Sequence, residues 1–256
     1  RMITGRCALR LRLCLCALWI AIPCVLPAAP NPDYVNALWI AESDGVLKVS
    51  TATGTVLFQI PNVPHLRAAA VDEQRGVLWA YGKGLLRAYR FNGQALLTVP
   101  VPLPYEDDEP EDSDDATKHV ALSVNSQNGS VWLGVKKKLH HYHAQGALLH
   151  SLDLADNIRA LALDGARAEV WAATHKTLTA YDDHALPVRA IPFDKNAHLK
   201  DISFDGSLNE LWVALKDNLH RYQTGTGSLV FQKPLPSLTR IASDGKGGLW
   251  VAADKS

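Results

Sequence analysis

Six tryptophans recur through the chain at nearly constant spacing, and this period restricts the possible folds more than any other feature of the sequence. The intervals between them are 40, 53, 39, 41 and 38 residues. The long interval contains an acidic tract, Glu106–Asp115, and removing about 13 residues around it restores the period. A fixed period of this length means that each unit is one supersecondary module stacked on its neighbours. The six residues are Trp39, Trp79, Trp132, Trp171, Trp212 and Trp250.

Each unit repeats the same internal order of residues. An aliphatic residue precedes the tryptophan, a leucine follows it by seven residues in four units, and a tyrosine comes three residues after that leucine. The apolar segments are short and are separated by Gly, Asp or Asn, which is typical of antiparallel strands and leaves no helical window. The leucines and tyrosines are Leu86, Leu139, Leu178, Leu219, Tyr89, Tyr142, Tyr181 and Tyr222.

Four strands in each unit, repeated radially, predict an all-β fold: a β-propeller of four-stranded antiparallel blades, about 40 residues per blade. Each blade begins with an inner strand, such as 159–164, and continues with the tryptophan strand. Five inner strands and six tryptophan strands predict five full blades and the start of a sixth, in a chain truncated from a longer propeller. The alternative is a closed five-bladed ring in which Thr239–Asp244 serves as the inner strand of the first unit.

Two segments relate this repeat to known propellers, namely Gly248–Ala252 (GLWVA) and Glu210–Tyr222 (ELWVALKDNLHRY), together with the Asp and Gly turn before them. The repeat resembles the propeller repeats of two-component-regulator sensors and the NHL repeats, and the related streptogramin-lyase and gluconolactonase-like propellers. The resemblance covers residues 31–256 and implies a propeller architecture. Because the matching residues build the blade, the resemblance implies no particular activity. A tectonin-type lectin propeller is a weaker match.

The first 28 residues have the composition of a targeting segment. They contain four arginines, no acidic residue and all four cysteines of the chain. The uncharged run Leu13–Leu26 is 14 residues long, which is the length of a signal-peptide core and shorter than the roughly 20 residues that span a bilayer as a helix. The sequence predicts a signal peptide over 1–28, with a retained membrane anchor as the alternative. A propeller domain over 29–256 follows, with an acidic loop insertion at 105–117, and the predicted localisation is periplasmic, cell-surface or secreted.

Composition and missing motifs exclude several function classes. Lys+Arg and Asp+Glu both total 26, so global charge gives no reason to expect a nucleic-acid partner, and a membrane contact is expected only through an uncleaved N-terminus. No cysteine follows residue 24, which excludes disulfides and thiolate metal sites from the rest of the chain. The HExxH, Gly-x-Ser-x-Gly, P-loop and GxGxxG motifs of hydrolases and nucleotide-binding proteins are absent.

Residues at fixed repeat positions have both a functional and a structural interpretation. The tryptophans and tyrosines resemble a stacking platform for sugars or bases, but their constant position favours packing between blades. The acidic residues before the tryptophan strands resemble a carboxylate cluster, but their place before hairpins favours hydrogen-bonded turns. These turn residues are Asp72, Asn125, Asp164, Asp205 and Asp244.

Three further features have a ligand-binding and a structural interpretation, and we favour the structural one for each. His140, His141 and His143 form a cluster in which His141 and His143 share a strand face, but no third ligand at a fixed spacing completes a metal site. The acidic tract lacks the order of a calcium loop and reads as a solvated loop. Asn128–Ser130 is an N-glycosylation sequon whose Asn-Gly pair equally predicts a two-residue hairpin turn.

The residue that enters each inner strand is the strongest functional candidate. It is basic or titratable in every complete unit, and inner strands begin at one mouth of the central channel of a propeller. Positive charges that converge there attract an anion, whereas pairing with a carboxylate of a neighbouring blade or exposure of the charge to solvent is the structural alternative. The candidate ligand-binding residues are Arg67, His119, Arg159, Lys200 and Arg240.

These observations predict an exported, non-enzymatic propeller that acts as a ligand-sensing or protein-interaction module. The expected partners are a small anionic or carbohydrate ligand at the channel mouth, or another protein, and no cofactor is expected. The first alternative is a lyase- or lactonase-like propeller enzyme that uses a divalent cation, for which no catalytic residue can be assigned, and the second is a lectin.

The leader gives the first testable prediction. We expect the exported protein to lack residues 1–28, because the arginine-rich start and the short apolar run are features of a cleaved signal. Intact mass spectrometry of the exported product measures this directly, and a mass that retains the leader would contradict it.

Overall fold

The computed structural model describes residues 37–42, 45–50, 55–61, 63, 66–102, 119–193 and 197–253. These residues form 21 β-strands that are grouped in six antiparallel sheets. In each sheet, consecutive strands pair in chain order, which is the meander expected of a propeller blade. The described residues include no helix that is long and apolar enough to cross a membrane.

The strands follow the predicted repeat, and we number the blades 1 to 6 in chain order. Blade 1 consists of β1 (Ala37–Glu42), β2 (Gly45–Ser50) and β3 (Val56–Pro61). Blade 2 consists of β4 (Ala68–Asp72), β5 (Val77–Gly82), β6 (Leu85–Arg90) and β7 (Ala95–Pro100). Blade 3 consists of β8 (Val120–Val124), β9 (Val131–Val135), β10 (Lys138–Tyr142) and β11 (Leu148–Asp153).

The later blades continue the same order. Blade 4 consists of β12 (Ala160–Asp164), β13 (Glu169–Ala173), β14 (Thr177–Tyr181) and β15 (Pro187–Pro192). Blade 5 consists of β16 (Leu199–Asp205), β17 (Glu210–Leu215), β18 (Asn218–Gln223) and β19 (Leu229–Pro234). Blade 6 consists of β20 (Leu238–Ser243) and β21 (Leu249–Ala253).

The all-β propeller prediction is confirmed, with a refinement of the blade count. Blades 2 to 5 have four strands each, blade 1 has three described strands and blade 6 has two. The leader and any strand before Ala37 lie outside the described residues, as does the whole of the predicted insertion, 105–117, within the range 103–118. Because β20 pairs with β21, the alternative in which Thr239–Asp244 serves as the inner strand for Trp39 is wrong.

The tryptophans occupy equivalent register positions, as the period predicts. In blades 2 to 6 each one lies opposite a small residue of the inner strand: Ala70, Ser123, Ala162, Ser203 and Ala242. Trp39 lies on β1, the strand that corresponds to β5 in blade 2, opposite Lys48. Small partners leave room for the indole on the shared face of the sheet.

The tryptophan-bearing face of one blade packs against the aliphatic face of the next. In the clearest case, Trp171 and Ala162 of blade 4 share a buried cluster with Leu211, Val213 and Leu215 of blade 5. Burying an aliphatic or aromatic side chain of this kind stabilises the fold by about 1.5–3 kcal/mol. The packing interpretation of the aromatic residues is therefore confirmed for blades 2 to 5.

The acidic residues before the tryptophan strands bind their own turns, which confirms the structural interpretation. Asp164 accepts hydrogen bonds from the backbone N–H of Arg167 at 3.2 Å and from its guanidinium at 2.8 Å. Asp205 accepts bonds from the N–H groups of Ser207 and Leu208. It also accepts a bond from Ser243 Oγ of blade 6 at 2.9 Å, so the turn carboxylate also links adjacent blades.

Arginines three residues after these carboxylates form a second link between blades, which the sequence analysis missed. Arg75 of blade 2 is paired with Asp72 at 3.0 Å and donates to the carbonyl oxygens of Ser126 and Gln127 in blade 3, at 2.7 and 2.8 Å. Arg167 of blade 4 donates to Thr224 Oγ1 of blade 5 at 2.9 Å. Each arginine thus links its own turn to a turn of the next blade, the β8–β9 turn for Arg75 and the β18–β19 turn for Arg167.

The outer strands are exposed edges, and four of the five described ones end in proline. The missing proline N–H cannot pair with an added strand, which is a common protection of sheet edges. β11 ends in Asp153 instead. The four prolines are Pro61, Pro100, Pro192 and Pro234.

The Asn128–Ser130 sequon lies in a turn, as favoured. Asn128 Oδ1 accepts the N–H of Ser130 at 2.8 Å, and Gly129 has a φ of +79°. The connection between β8 and β9 spans six residues, 125–130, and not the two-residue hairpin that the Asn-Gly pair predicts. The reason is that Asn125 closes a wider loop by accepting the N–H of Gly129 at 2.6 Å.

Gly129 gives the second prediction. A Cβ at this position would lie 2.9 Å from Ala144 Cβ and 3.0 Å from Arg75 Nε, in a left-handed conformation that costs a non-glycine residue about 1–2 kcal/mol. We expect Gly129→Ala to lower the free energy of unfolding by about 2–3 kcal/mol, as measured by urea denaturation.

Gly93→Ala is the matched control. Gly93 has a similar φ of +83° but nothing within 4 Å of its Cβ position. It should lose only the conformational part, about 1 kcal/mol. Equal losses in the two variants would mean that the contact with Arg75 and Ala144 contributes nothing.

Candidate functional site

The five basic or titratable residues predicted from the sequence lie at the starts of the inner strands. Neighbouring inner strands run side by side in matching register, since Asp201 Oδ2 accepts the N–H of Ile241 and Ser203 Oγ accepts the N–H of Ser243, at 3.0 and 2.9 Å. The starts of these strands therefore lie at one end of the channel. We call this set the basic mouth: Arg67, His119, Arg159, Lys200 and Arg240.

The members of the basic mouth do not share one register position. Arg67, Arg159 and Lys200 lie three residues before the residue that faces the tryptophan, whereas His119 lies four before it and Arg240 two. The offset of Arg240 coincides with irregular pairing between Leu238 and Arg240 at the start of β20. The five side chains thus begin at different depths at the same end.

Arg159 contacts two neighbouring segments at the basic mouth. Its Nη1 donates to the carbonyl oxygen of Leu199, next to Lys200, at 3.4 Å, and its Nη2 contacts Nε2 of His175. Its Nε has no hydrogen-bond partner among the described residues. Burial lowers the pKa of the Arg159 guanidinium, although an arginine stays charged at neutral pH. Arg159 is therefore a fixed positive charge whose Nε–H is available as a hydrogen-bond donor.

Histidines from two loops extend this cluster, and the sequence analysis missed both. His175 lies in the β13–β14 turn, and its pKa is lowered first by burial and then by the nearby Arg159, His119 and His198. His198 precedes β16. The repeat could have predicted His175, because the residue four positions after the tryptophan is basic or titratable in four blades. These residues are Lys83, Lys136, His175 and Lys216.

Two of the four turn residues bond directly to the segments that enter the inner strands. Lys136 donates its backbone N–H to the carbonyl oxygen of His119 at 2.8 Å, and Lys216 donates to that of Ala197 at 3.4 Å. The tryptophan-strand turns and the inner-strand starts thus form one surface. Positive charge on this surface comes from two repeat positions and not from one.

Carboxylates also lie among these cations: Asp156 is close to His175 and pairs with Lys176 at 3.3 Å, and Asp201 lies near Arg240. Asp201 accepts the N–H groups of Ile202 and Ile241, each at 3.0 Å. Burial raises the pKa of its carboxyl to about 6, while these two hydrogen bonds and the nearby Arg240 act against the rise. Its contacts bind blade 5 to blade 6, so Asp201 has a structural role and partly offsets the charge of Arg240.

A separate cavity of about 640 Å³ lies between the inner strands. β4, β8, β12, β16 and β20 all contribute to its wall, and Val46 of β2 completes it. No member of the basic mouth lines it. The cavity extends to the β8–β9 and β12–β13 turns, at the opposite end from the basic mouth.

The histidine cluster on β10 is divided between the two faces of the sheet. His141 is buried and stacks on Trp132, with ring centroids 4.0 Å apart and planes 4° apart. Its other face is 6.0 Å from the ring of His150, and its Nε2 lies 3.7 Å from Asp183 Oδ1 of blade 4. His143 is exposed. Among the described residues no group of three or more His, Cys, Asp or Glu side chains is arranged to hold a metal ion.

Buried histidines give the third prediction, which concerns pH. Burial lowers the pKa of His140, His141, His175 and His220 below the usual 6.5. The folded state then binds fewer protons than the unfolded chain, so their contribution to stability is complete above pH 6.5 and is lost as the pH falls below it. Asp201 acts in the opposite direction: its pKa is raised to about 6, so its contribution to stability increases as the pH falls below about 6.

His141→Phe isolates one of these contributions. Phenylalanine keeps a ring against Trp132 but takes up no proton, so the unfolding free energy should decline less steeply between pH 6.5 and 5, by up to about 1.4 kcal/mol per pH unit. Urea denaturation across this range measures the slope, with His143→Gln on the exposed face as the control. The prediction fails if the two variants decline in parallel.

Comparison with known proteins identifies the architecture. No family sequence model and no curated protein sequence matches this chain, so the predicted relation to NHL and two-component-regulator repeats stays a prediction. In structure, 1145 chains of solved proteins are similar. One is the hydrazine synthase of Kuenenia stuttgartiensis, a propeller-containing protein, with a TM-score of 0.65 and 12% sequence identity over 85% of this chain and 70% of that one. At this identity the likeness identifies the fold alone, which is the β-propeller.

Proposed function

We propose that this propeller is a non-enzymatic interaction module of an exported protein, and that it holds an anionic ligand at the basic mouth. The observation that carries the proposal is Arg159, a partly buried guanidinium whose Nε has no hydrogen-bond partner among the described residues. A buried donor without a partner costs about 1–3 kcal/mol, and an anionic acceptor would relieve that cost.

The surroundings of Arg159 favour a negative ligand. Lys200 follows the carbonyl that Arg159 binds. His175 and His198 lie nearby, and because the pKa of His175 is lowered, this ring serves at neutral pH as a neutral hydrogen-bonding group and not as a charge. Converging charges at the low-dielectric end of a channel focus the potential and raise the local concentration of anions. Each charge-assisted hydrogen bond contributes about 1.5–3 kcal/mol gross.

The ligand class that fits is a carboxylate, a phosphate or an acidic sugar. The guanidinium offers donors in a fixed fork that matches two oxygens of such a group. A larger partner would also reach the turns that surround the mouth, where Lys83, Lys136 and Lys216 lie four residues after their tryptophans. An acidic patch on another protein is the macromolecular form of the same interaction.

Citrate is a suitable probe for the fourth prediction. We expect Arg159→Ala to weaken citrate binding about tenfold, which corresponds to about 1.4 kcal/mol, because the central donor is lost. The affinity of the unaltered chain should also fall as salt rises, since the mouth is open to solvent. Isothermal titration calorimetry measures both effects, and circular dichroism verifies that the fold is retained.

Lys246→Ala provides the matched control at the other end of the channel, in the β20–β21 turn. It removes one positive charge from the molecule without touching the basic mouth. If both variants weaken citrate binding equally, the loss of affinity is explained by the change in net charge, and a site at Arg159 is contradicted. Undetectable binding of citrate, phosphate and glucuronate to the unaltered chain would contradict the anionic ligand itself.

A further inference from the structure

We propose that the central cavity is a second binding site, which takes an uncharged, mainly apolar small molecule through the end opposite the basic mouth. The proposal does not depend on the proposed function, because the cavity and the basic mouth share no residue. Its volume of about 640 Å³ lies within the usual range of small-molecule sites, about 300–1,000 Å³.

The wall of the cavity selects against charge. Its apolar part consists of aliphatic side chains such as Val71, Leu122 and Leu163, with the ring of Phe204. The cavity wall in the described structure contains no Asp, Glu, Lys, Arg or His. An ion that entered would lose its hydration without gaining a counter-ion, at a cost of several kcal/mol. A neutral apolar molecule gains from the same transfer.

Two hydroxyls in the wall are available for a ligand, that of Ser126 in the β8–β9 turn and that of Ser123 deeper in the wall on β8. Ser203 Oγ accepts the N–H of Ser243, and Ser243 Oγ donates to Asp205. Ser123 faces Trp132 across its sheet just as Ser203 faces Trp212, but no hydrogen bond joins its side chain to another described residue. A ligand with one hydrogen-bonding group beside an apolar ring therefore complements the wall.

The opening lies between the β8–β9 and β12–β13 turns. Gly165, directly after Asp164, forms part of the rim together with Gln127. A Cβ on Gly165 would meet only Gln127 Nε2, at 3.9 Å, and its φ is not in the left-handed region. A large side chain is tolerated there by the backbone and would project at the opening.

Gly206 supplies a matched control. It follows Asp205 in blade 5 as Gly165 follows Asp164 in blade 4. It has similar free space, with Phe204 Cε1 at 3.8 Å from its Cβ position, but it does not line the cavity. Gly165→Phe and Gly206→Phe thus make the same chemical change at equivalent turns, and only the first lies at the opening.

The experiment is a fluorescence titration of the chain with Nile red, an uncharged dye whose carbonyl oxygen accepts a hydrogen bond. We expect saturable binding of one dye per chain, weakened at least tenfold by Gly165→Phe and unchanged by Gly206→Phe. Ser123→Ala, which removes the hydroxyl without adding bulk to the wall, should weaken binding severalfold. Val124→Phe narrows the cavity from β8 and should also weaken binding, in case Gly165→Phe fails to fold.

Two further measurements separate this site from the basic mouth. Citrate should not displace the dye, and Arg159→Ala should leave dye affinity unchanged, so either site can fail without the other. Dye binding that is absent, unsaturable, or equal in the unaltered chain, Gly165→Phe and Val124→Phe would overturn the proposal, because it would assign the dye to the outer surface.

Discussion

The packing of a tryptophan-bearing face against the aliphatic face of the next blade is the interaction on which the rest of this molecule depends. A single four-stranded sheet of this size buries too little apolar surface to be stable alone. The indole rings of blades 2 to 5 are nearly or fully buried, and each draws an adjacent sheet into contact. Trp250 in blade 6 is 49% exposed, because no described segment packs on its face.

Hydrogen bonds between turns fix the position of each blade relative to the next, which apolar packing alone does not do. A hydrophobic face alone would allow neighbouring sheets to slide, since burial is not directional. Asp205 fixes the β20 turn against its own turn, and Arg75 and Arg167 reach across to the next blade. These bonds set the relative height of the inner strands. That height determines where the basic mouth and the central cavity begin.

The architecture was predictable from the sequence because its cause is periodic. The tryptophans, the Leu and Tyr positions and the turn carboxylates repeat with the blade, so one alignment of the chain with itself gives them all. The second basic position, represented by His175, was equally periodic and was overlooked. The contact of His141 on β10 with Asp183 joins residues that are 42 positions apart. It depends on the β14–β15 turn, whose sequence differs from the corresponding turns of the other blades. The cavity depends on the distances between five inner strands, and no local sequence pattern predicts those distances.

The outer edge of the ring is protected by two different physical means. In four blades the closing proline removes a backbone donor, which is a covalent property that no change of solvent alters. In blade 3 the corresponding residue is Asp153, paired with Lys138 at 2.7 Å, on a strand that also exposes Leu148 and Leu149. Its protection is electrostatic, so it weakens when salt screens the carboxylate. Blade 3 is therefore where high salt would first allow edge-to-edge association of chains.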